Sequence, residues 1–122
     1  MKSSAEFIAR LLHSVTGAHM LHLMQKGPGS YAAHIALGGL YEGLQDKTDE
    51  LAEEYFGAYG LLESYPDQEF KTPTDPLKFT KDLYQYVLDN RGKMGKDTHI
   101  QNSIDEILKL LSTTAYKLKY LA

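Results

Sequence analysis

The sequence predicts an all-α protein, a four-helix bundle with one longer crossover between the second and third helices. Apolar residues recur at intervals of three and four in four separate stretches, and glycine or proline residues separate these stretches. No stretch shows the alternating pattern of a β-strand. Two helices, a longer connection and two more helices is the order of a bundle with a single crossover. The length of 122 residues suits one domain, which we place at residues 1–122.

The first predicted helix begins at a serine cap, Ser3 or Ser4, and ends at the glycine and proline run that starts at Gly27. Residues spaced by three and four place one stripe on a single face of this helix. The stripe consists of Ile8, Leu11, Leu12, Val15, His19 and His22. Two histidines therefore belong to the inward face or border it.

The second predicted helix starts at another serine cap, Ser30, and reaches roughly to Tyr59. With ~100° between successive residues, its side chains form two separate arcs. One arc holds the leucines Leu37, Leu40, Leu44 and Leu51, and the other holds His34, Asp49 and Glu53. Because the leucine arc fills the core, the second arc must face solvent or a neighbouring subunit.

Prolines and turn-forming residues in the stretch 61–76 predict an irregular crossover or surface loop. A third helix is predicted from about Leu77 to near Gly92. The fourth helix is predicted to begin at Asp97 or Thr98 and to continue almost to the end of the chain. These assignments complete the four-helix pattern.

The charge balance and the composition argue against nucleic-acid-binding, membrane and secreted proteins. With 13 basic and 16 acidic side chains the net charge is −3, whereas nucleic-acid and anionic-membrane binders depend on clustered Lys and Arg. No stretch approaches the ~18 apolar residues of a membrane span, and residues 1–7 are too polar for a signal peptide. We therefore expect a cytoplasmic protein with neither a nucleic-acid nor a membrane partner. Cysteine is absent, so histidine and carboxylate groups are the strong metal ligands that remain.

A candidate metal site consists of His22, His34, Asp49 and Glu53. Asp49 and Glu53 are one helical turn apart, so their carboxylates can close on one ion. One imidazole with two carboxylates suits Fe(II) and leaves coordination positions open. The alternative interpretation is structural: the acids form a solvated helix face and the histidines serve packing.

The residues around these positions match a known pattern. The run His22-Leu-Met-Gln-Lys-Gly-Pro28 resembles the H-W-N-V-K-G-P signature of the Dps-type miniferritins, and the family's next histidine falls twelve residues later, at His34. The segment Asp49-Glu-Leu-Ala-Glu53 is similar to the family's D-x-x-A-E segment at the same distance. The resemblance covers the first two helices without a gap and the last helix more loosely.

This resemblance implies a ferritin-like bundle with an iron-oxidising centre shared between two subunits. His22 of one subunit would bind the principal non-haem iron together with Asp49 and Glu53 of its neighbour, and His34 would serve a second position. A ferroxidase of this class oxidises Fe(II) with peroxide or dioxygen and stores the product in a hollow homo-oligomer. The expected assembly is at least a dimer, and the resemblance implies a shell of twelve.

Departures from the family pattern keep an alternative open. The aspartate that the family carries four residues after its second histidine is Gly38 here, and the tryptophan after the first histidine is Leu23. Glu42 is the one substitute we name for the missing aspartate, and an aspartate placed at position 38 is expected to restore a ligand and to stabilise the helix. The main alternative function is therefore a non-enzymatic ferritin-like scaffold or partner-binding oligomer that has lost part of the metal site. A helical adaptor without metal is a third reading.

Overall fold

The protein is built from four long α-helices. The structure is a computed structural model that describes residues 2–122, without the side chain of Lys2, so Met1 of the predicted domain lies outside the described residues. The helices are α1 (Lys2–Leu23), α2 (Ser30–Tyr59), α3 (Pro76–Asn90) and α4 (Thr98–Tyr120). No β-strand occurs within residues 2–122. The prediction of an all-helical chain with four helices is confirmed.

The first predicted serine cap is wrong, because α1 already begins at Lys2 and both serines lie inside the helix. The side chain of Ser4 is buried. Its hydroxyl oxygen lies 2.7 Å from the Tyr55 hydroxyl and 2.9 Å from the carbonyl oxygen of Lys93. Ser4 therefore connects α1 to the end of α2 and to the segment after α3 instead of capping its own helix.

The second predicted cap, Ser30, is also displaced by one residue. Gly29 occupies the cap position with φ 79°, a left-handed conformation that glycine adopts without steric cost. Ser30 is the first helical residue, and its hydroxyl donates a hydrogen bond of 2.6 Å back to the carbonyl oxygen of Gly27. The start of α3 is conventional, since the Asp75 carboxylate accepts from the Lys78 backbone N–H at 3.2 Å.

One hydrophobic core lies between the four helices. α2 packs against α1 and α4, and α3 packs against α4 and, over a smaller area, against α1. All four helices contribute fully buried side chains, among them Phe7, Leu11, Leu37, Leu44, Leu51, Leu83 and Ile104. The predicted inward stripe of α1 is wrong at two positions, because Leu12 and His19 are exposed. Among the described side chains, the buried polar ones are hydroxyls: Ser4, Ser14, Thr48, Thr80 and Thr114.

The irregular segment predicted between the second and third helices is confirmed, with residues 60–75 in no regular element. This connection runs along α1. Its contacts follow the order of both segments: Gln68 donates to the Glu6 carbonyl oxygen, the ring of Phe70 lies edge-on to His13, and Pro73 lies against Gly17. None of the helices in residues 2–122 is long and apolar enough to cross a membrane.

The turn between α3 and α4 is closed by Arg91 and Gln101, which we call the arginine–glutamine bracket. The Arg91 guanidinium donates to the Gln101 side-chain oxygen at 2.7 Å and to the Gln101 carbonyl oxygen at 3.1 Å. The Gln101 amide donates in return to the carbonyl oxygens of Arg91 at 3.0 Å and of Gly95 at 2.7 Å. Asp105 completes the arrangement with an ion pair of 2.6 Å to Arg91. The 3-10 helix Arg91–Met94 is thereby tied to the first turn of α4.

Candidate functional site

Two of the predicted ligands, His22 and His34, lie face to face across the turn between α1 and α2. Their ring centroids are 3.7 Å apart and their planes are inclined by 18°. The Nδ1 atom of His22 lies 2.6 Å from the carbonyl oxygen of His34, and the Nδ1 atom of His34 lies 2.8 Å from the carbonyl oxygen of His22. Both side chains are half-buried. We call this pair the histidine bracket.

The hydrogen bonds of the histidine bracket determine which ring nitrogen is available for chemistry. A carbonyl oxygen can only accept, so both Nδ1 atoms carry the proton. In the neutral rings, each Nε2 atom then holds an unshared electron pair. Histidines that bind metals usually donate their other ring N–H to a backbone carbonyl or a carboxylate, which fixes the orientation of the ring. His22 and His34 have this arrangement before any metal is bound.

Further aromatic rings surround the histidine bracket. Tyr41 is stacked on His19, with centroids 4.0 Å apart and planes inclined by 6°, and its centroid lies 5.3 Å from that of His22. On the other side, Tyr31 lies 6.4 Å from His34. Rotation of either bracket ring would therefore disturb its aromatic neighbours as well as its own hydrogen bond. His19 has a packing role in this cluster.

Gly38 has a structural function that the sequence alone did not reveal. A Cβ atom added at this position would lie 3.1 Å from Cε1 and 3.3 Å from Nδ1 of His22. Since the His22 ring is fixed by His34, it has little freedom to move away. A side chain at position 38 would require the His22 ring to move by a few tenths of an ångström, and this cost opposes the helix stabilisation expected from an aspartate there. Whether that aspartate adds a ligand stays a prediction.

The two predicted acidic ligands lie far from the histidines within one chain. Asp49 and Glu53 are both exposed on α2. With a rise of ~1.5 Å per residue, Asp49 is about 22 Å from His34 along the helix. Within the part of the chain that the structure describes, no three His or acidic side chains lie close enough to hold a metal ion. The four-residue site between two subunits stays a prediction.

The outer face of α2 changes character along its length. Near the histidine bracket, the exposed side chains of α1 and α2 include four large apolar ones: Met20, Leu23, Tyr31 and Ile35. Further along α2, five exposed side chains are acidic: Glu42, Asp46, Asp49, Glu50 and Glu53. The two groups therefore lie at opposite ends of one exposed helix surface.

Sequence reasoning missed the contact between the two bracket histidines. A signal was present, because a short turn between antiparallel helices brings residues on either side of it together, and His22 and His34 flank the glycine-containing turn. It also missed the stack of Tyr41 on His19, for which the sequence offers no comparable signal.

Comparison with known proteins identifies a family. Residues 22–118 match a family described as a family of unknown function (DUF5856). Because the match covers most of the chain, the protein belongs to this family. No match was found among curated proteins or among solved structures.

Proposed function

We propose that the protein is a miniferritin of the Dps type. It binds Fe(II) as its substrate at sites shared between two copies of the chain, promotes oxidation of the iron by peroxide or dioxygen, and stores the ferric product in a homo-oligomer. The observation that carries this proposal is the histidine bracket, in which both rings are oriented by backbone carbonyls and keep Nε2 as a ligand atom.

The path of the chain supports a ferritin-like bundle with one crossover. The end of α2 lies beside the α3–α4 turn, where the Tyr59 hydroxyl donates to the Asp97 carboxylate. The start of α3 lies beside the second half of α1, where the Phe79 ring is close to Gly17. The connection 60–75 therefore spans the length of the helices, and α2 and α3 run in the same direction. This course of the chain supports the proposed topology, a bundle with one long crossover.

The composition of the core favours a site on the surface over one inside the bundle. Ferritin-like proteins with an internal di-iron centre project Glu and His side chains into the core from several helices. Among the described side chains of this protein, no carboxylate and no histidine is buried. An iron site built from His22, Asp49 and Glu53 would have to form between copies.

A twofold pairing of copies through α2 would bring the separated ligands together. If two α2 helices pack antiparallel about a point near Glu42, His34 of one copy faces Asp49 of the other, because both positions are nearly equidistant from that point. The same pairing would cover the exposed Tyr31 and Ile35, whose burial favours association. Each dimer would then contain two equivalent sites.

In such a site the residues have separate roles. The carboxylates of Asp49 and Glu53 supply anionic oxygen ligands, and His22 supplies an imidazole nitrogen of fixed orientation. The redox chemistry belongs to the iron, whereas the chain supplies the ligands and leaves coordination positions open for the oxidant. The acidic face near Asp46 and Glu50 would raise the local concentration of Fe(II).

The second candidate function is an oligomeric scaffold without iron chemistry. Gly38 supports it, since the chain has no carboxylate at the position that carries an aspartate in the miniferritins, and the His22 ring lies only 3.1 Å from where a Cβ atom would be. In this reading, the histidine bracket stabilises the α1–α2 turn and the apolar residues beside it mediate assembly.

Anaerobic Fe(II) titration combined with native mass measurement tests the two candidates. The wild type should form a dimer or larger assembly and bind Fe(II) tightly at one position per site. Glu53→Gln should lose the tight binding and the oxidation while it keeps the assembly, because it removes a negative ligand with little change in shape. Glu63→Gln is the control, an exposed acid in the connection 60–75 that lies outside the acidic face of α2 and should change neither property.

Two outcomes would contradict the miniferritin proposal. A mass near 13.7 kDa at micromolar concentration would exclude a shared site. An intact oligomer that binds no Fe(II) would favour the scaffold.

A further inference from the structure

A second site of interest is a cavity of about 740 Å³ between α1, the connection and α3. It contains none of the four predicted iron ligands. Its lining combines aromatic rings with basic side chains, chiefly Arg10, His13, Phe70, Phe79, Tyr86 and Lys93. The volume lies within the ~300–1,000 Å³ that is usual for pockets that bind small molecules.

Arg10 is the most unusual residue of this cavity. Its guanidinium carbon lies 4.3 Å from the centroid of the Tyr86 ring, and Tyr86 is stacked in turn with Phe7 at 5.9 Å. The guanidinium therefore lies over an aromatic layer at the cavity wall. Among the described residues, it has no ion-pair or hydrogen-bond partner. A half-buried guanidinium held in place with unused N–H donors is suited to binding an oxyanion.

The acidic side chains of the lining do not neutralise Arg10. Glu69 and Asp82 pair with lysines, Lys71 at 3.8 Å and Lys78 at 2.7 Å, and the Asp75 carboxylate accepts from the Lys78 backbone N–H. Arg10 and Lys93 form no ion pair within the described residues. One ligand carboxylate would pair with Arg10, whereas a second negative charge would be repelled by Glu6 and Asp75.

We propose that this cavity binds a small organic anion that combines one flat apolar ring system with one carboxylate group. The planar guanidinium of Arg10 can hold both oxygens of a carboxylate, and Phe70 and Phe79 provide apolar surfaces for the ring. This binding is independent of iron and of the histidine bracket, so it can succeed or fail separately from the proposed function.

Tyr86 has a secondary role in this proposal. Burial raises the pKa of its hydroxyl above the ordinary value of 10.0, so the group stays protonated at physiological pH. It then remains a hydrogen-bond donor beside Arg10 and adds no negative charge to the cavity.

Titration of the full-length protein with 2-naphthoate tests the proposal, with binding followed by NMR and calorimetry. The neutral analogue 2-naphthalenemethanol has nearly the same shape without the charge. We expect 2-naphthoate to bind at submillimolar concentration, to perturb the resonances of Phe70 and Phe79, and to bind at least tenfold more tightly than the alcohol.

Three variants make the test specific. Arg10→Gln should weaken 2-naphthoate binding at least tenfold. Lys93→Gln, which leaves the stacked Arg10 in place, should weaken it by a smaller factor and keeps the test valid if Arg10→Gln folds poorly. Lys109→Gln, an exposed α4 residue outside the cavity, is the control and should bind as the wild type does.

The proposal is overturned by any of three results. These are absence of binding by the wild type at millimolar 2-naphthoate, equal binding by Arg10→Gln, and perturbations confined to exposed apolar residues such as Leu23 and Ile35.

Discussion

The two turns that join antiparallel helices in this protein are closed in similar ways by different chemistry. At the α1–α2 turn, His22 and His34 each donate to the other's backbone carbonyl across twelve residues. At the α3–α4 turn, Arg91 and Gln101 do the same across ten residues, and Asp105 adds an ion pair. Each bracket supplies a donor to one carbonyl at a helix C-terminus, that of His22 or of Arg91, and fixes the position of one helix against the next.

The difference lies in what remains on the side chains once the turn is closed. The Arg91 guanidinium has only donors and is always charged, and both groups of the Gln101 amide are already bonded. An imidazole that donates through Nδ1 still has an electron pair on Nε2. The side chains of the α3–α4 bracket therefore serve the structure alone, whereas those of the α1–α2 bracket keep two nitrogen electron pairs, which bind iron in the proposed function.

The largest expected effect is on iron affinity, which should depend on the histidine bracket but not on the arginine–glutamine bracket. His22→Ala removes one ligand and releases the second, so Fe(II) affinity should fall by about 100-fold or more. Arg91→Ala should leave the Fe(II) affinity unchanged, because its bracket holds no ligand. Anaerobic calorimetry measures both. Wild-type affinity in His22→Ala would show that the histidine bracket is structural only.

The next effect is on the free energy of unfolding, to which the arginine–glutamine bracket should contribute. Arg91→Ala removes hydrogen bonds to Gln101 and the pair with Asp105, and we expect it to lower the free energy of unfolding by about 2 kcal/mol. The pair with Asp105 contributes little of this, since that carboxylate is more than half exposed. Lys96→Ala, an exposed change in the same turn, should cost less than ~0.5 kcal/mol. Urea denaturation distinguishes these values, and equal effects would argue against the bracket.

Two adjacent glycines test how tightly the histidine bracket is packed. Gly39→Ala meets no atom within 4 Å and should stabilise α2 by about 1 kcal/mol. Gly38→Ala has the same helix propensity but meets the His22 ring, so it should gain nothing or lose stability and should shift the His22 ring resonances. Equal stabilisation by both changes would show that the bracket yields without cost. Gly38→Asp meets the same contact with the His22 ring, so it is expected to be less stable than Gly39→Ala.

The smallest effect concerns a further contact at the α3–α4 turn, where Tyr59 donates to Asp97. This hydrogen bond raises the pKa of Tyr59 above 10.0, so its contribution is complete below that pH and is lost as pH rises through the raised pKa. The advantage of the wild type over Tyr59→Phe in urea midpoint should therefore shrink above about pH 10. A constant difference from pH 7 to 11 would contradict this assignment. The histidine bracket contains no tyrosine, so this tyrosine-dependent loss of stability is specific to the α3–α4 turn.

The helices and the start of α4 at Asp97 and Thr98 could be predicted from the sequence, whereas the roles of the first two serines could not. Periodic apolar residues and the glycines and prolines between them determine where helices form, and both are local properties. The roles of Ser4 and Ser30 depend on partners that folding brings near, such as Tyr55 and Lys93 for Ser4. A hydroxyl can cap a helix or bond across the core, and the sequence does not distinguish the two.

The candidate site was predictable only in part. The identities of His22, Asp49 and Glu53 follow from spacing and resemblance, but the function of Gly38 depends on the distance between two helices. The cavity has no local signal at all, because Arg10, Phe70 and Tyr86 come from three separate segments. Properties that arise from packing between distant segments cannot be read from periodicity.

The connection 60–75 gives the molecule a modular construction. It joins two helical hairpins that are each closed by their own bracket, and its first residues, 61 and 63–65, are exposed and outside regular structure. A single proteolytic cut in this region would leave each hairpin covalently whole. Because the shared core contains side chains from both hairpins, neither fragment could bury its apolar face alone, and the two would remain associated. The cut protein would then be a heterodimer of two hairpins, which the intact connection 60–75 holds in one chain.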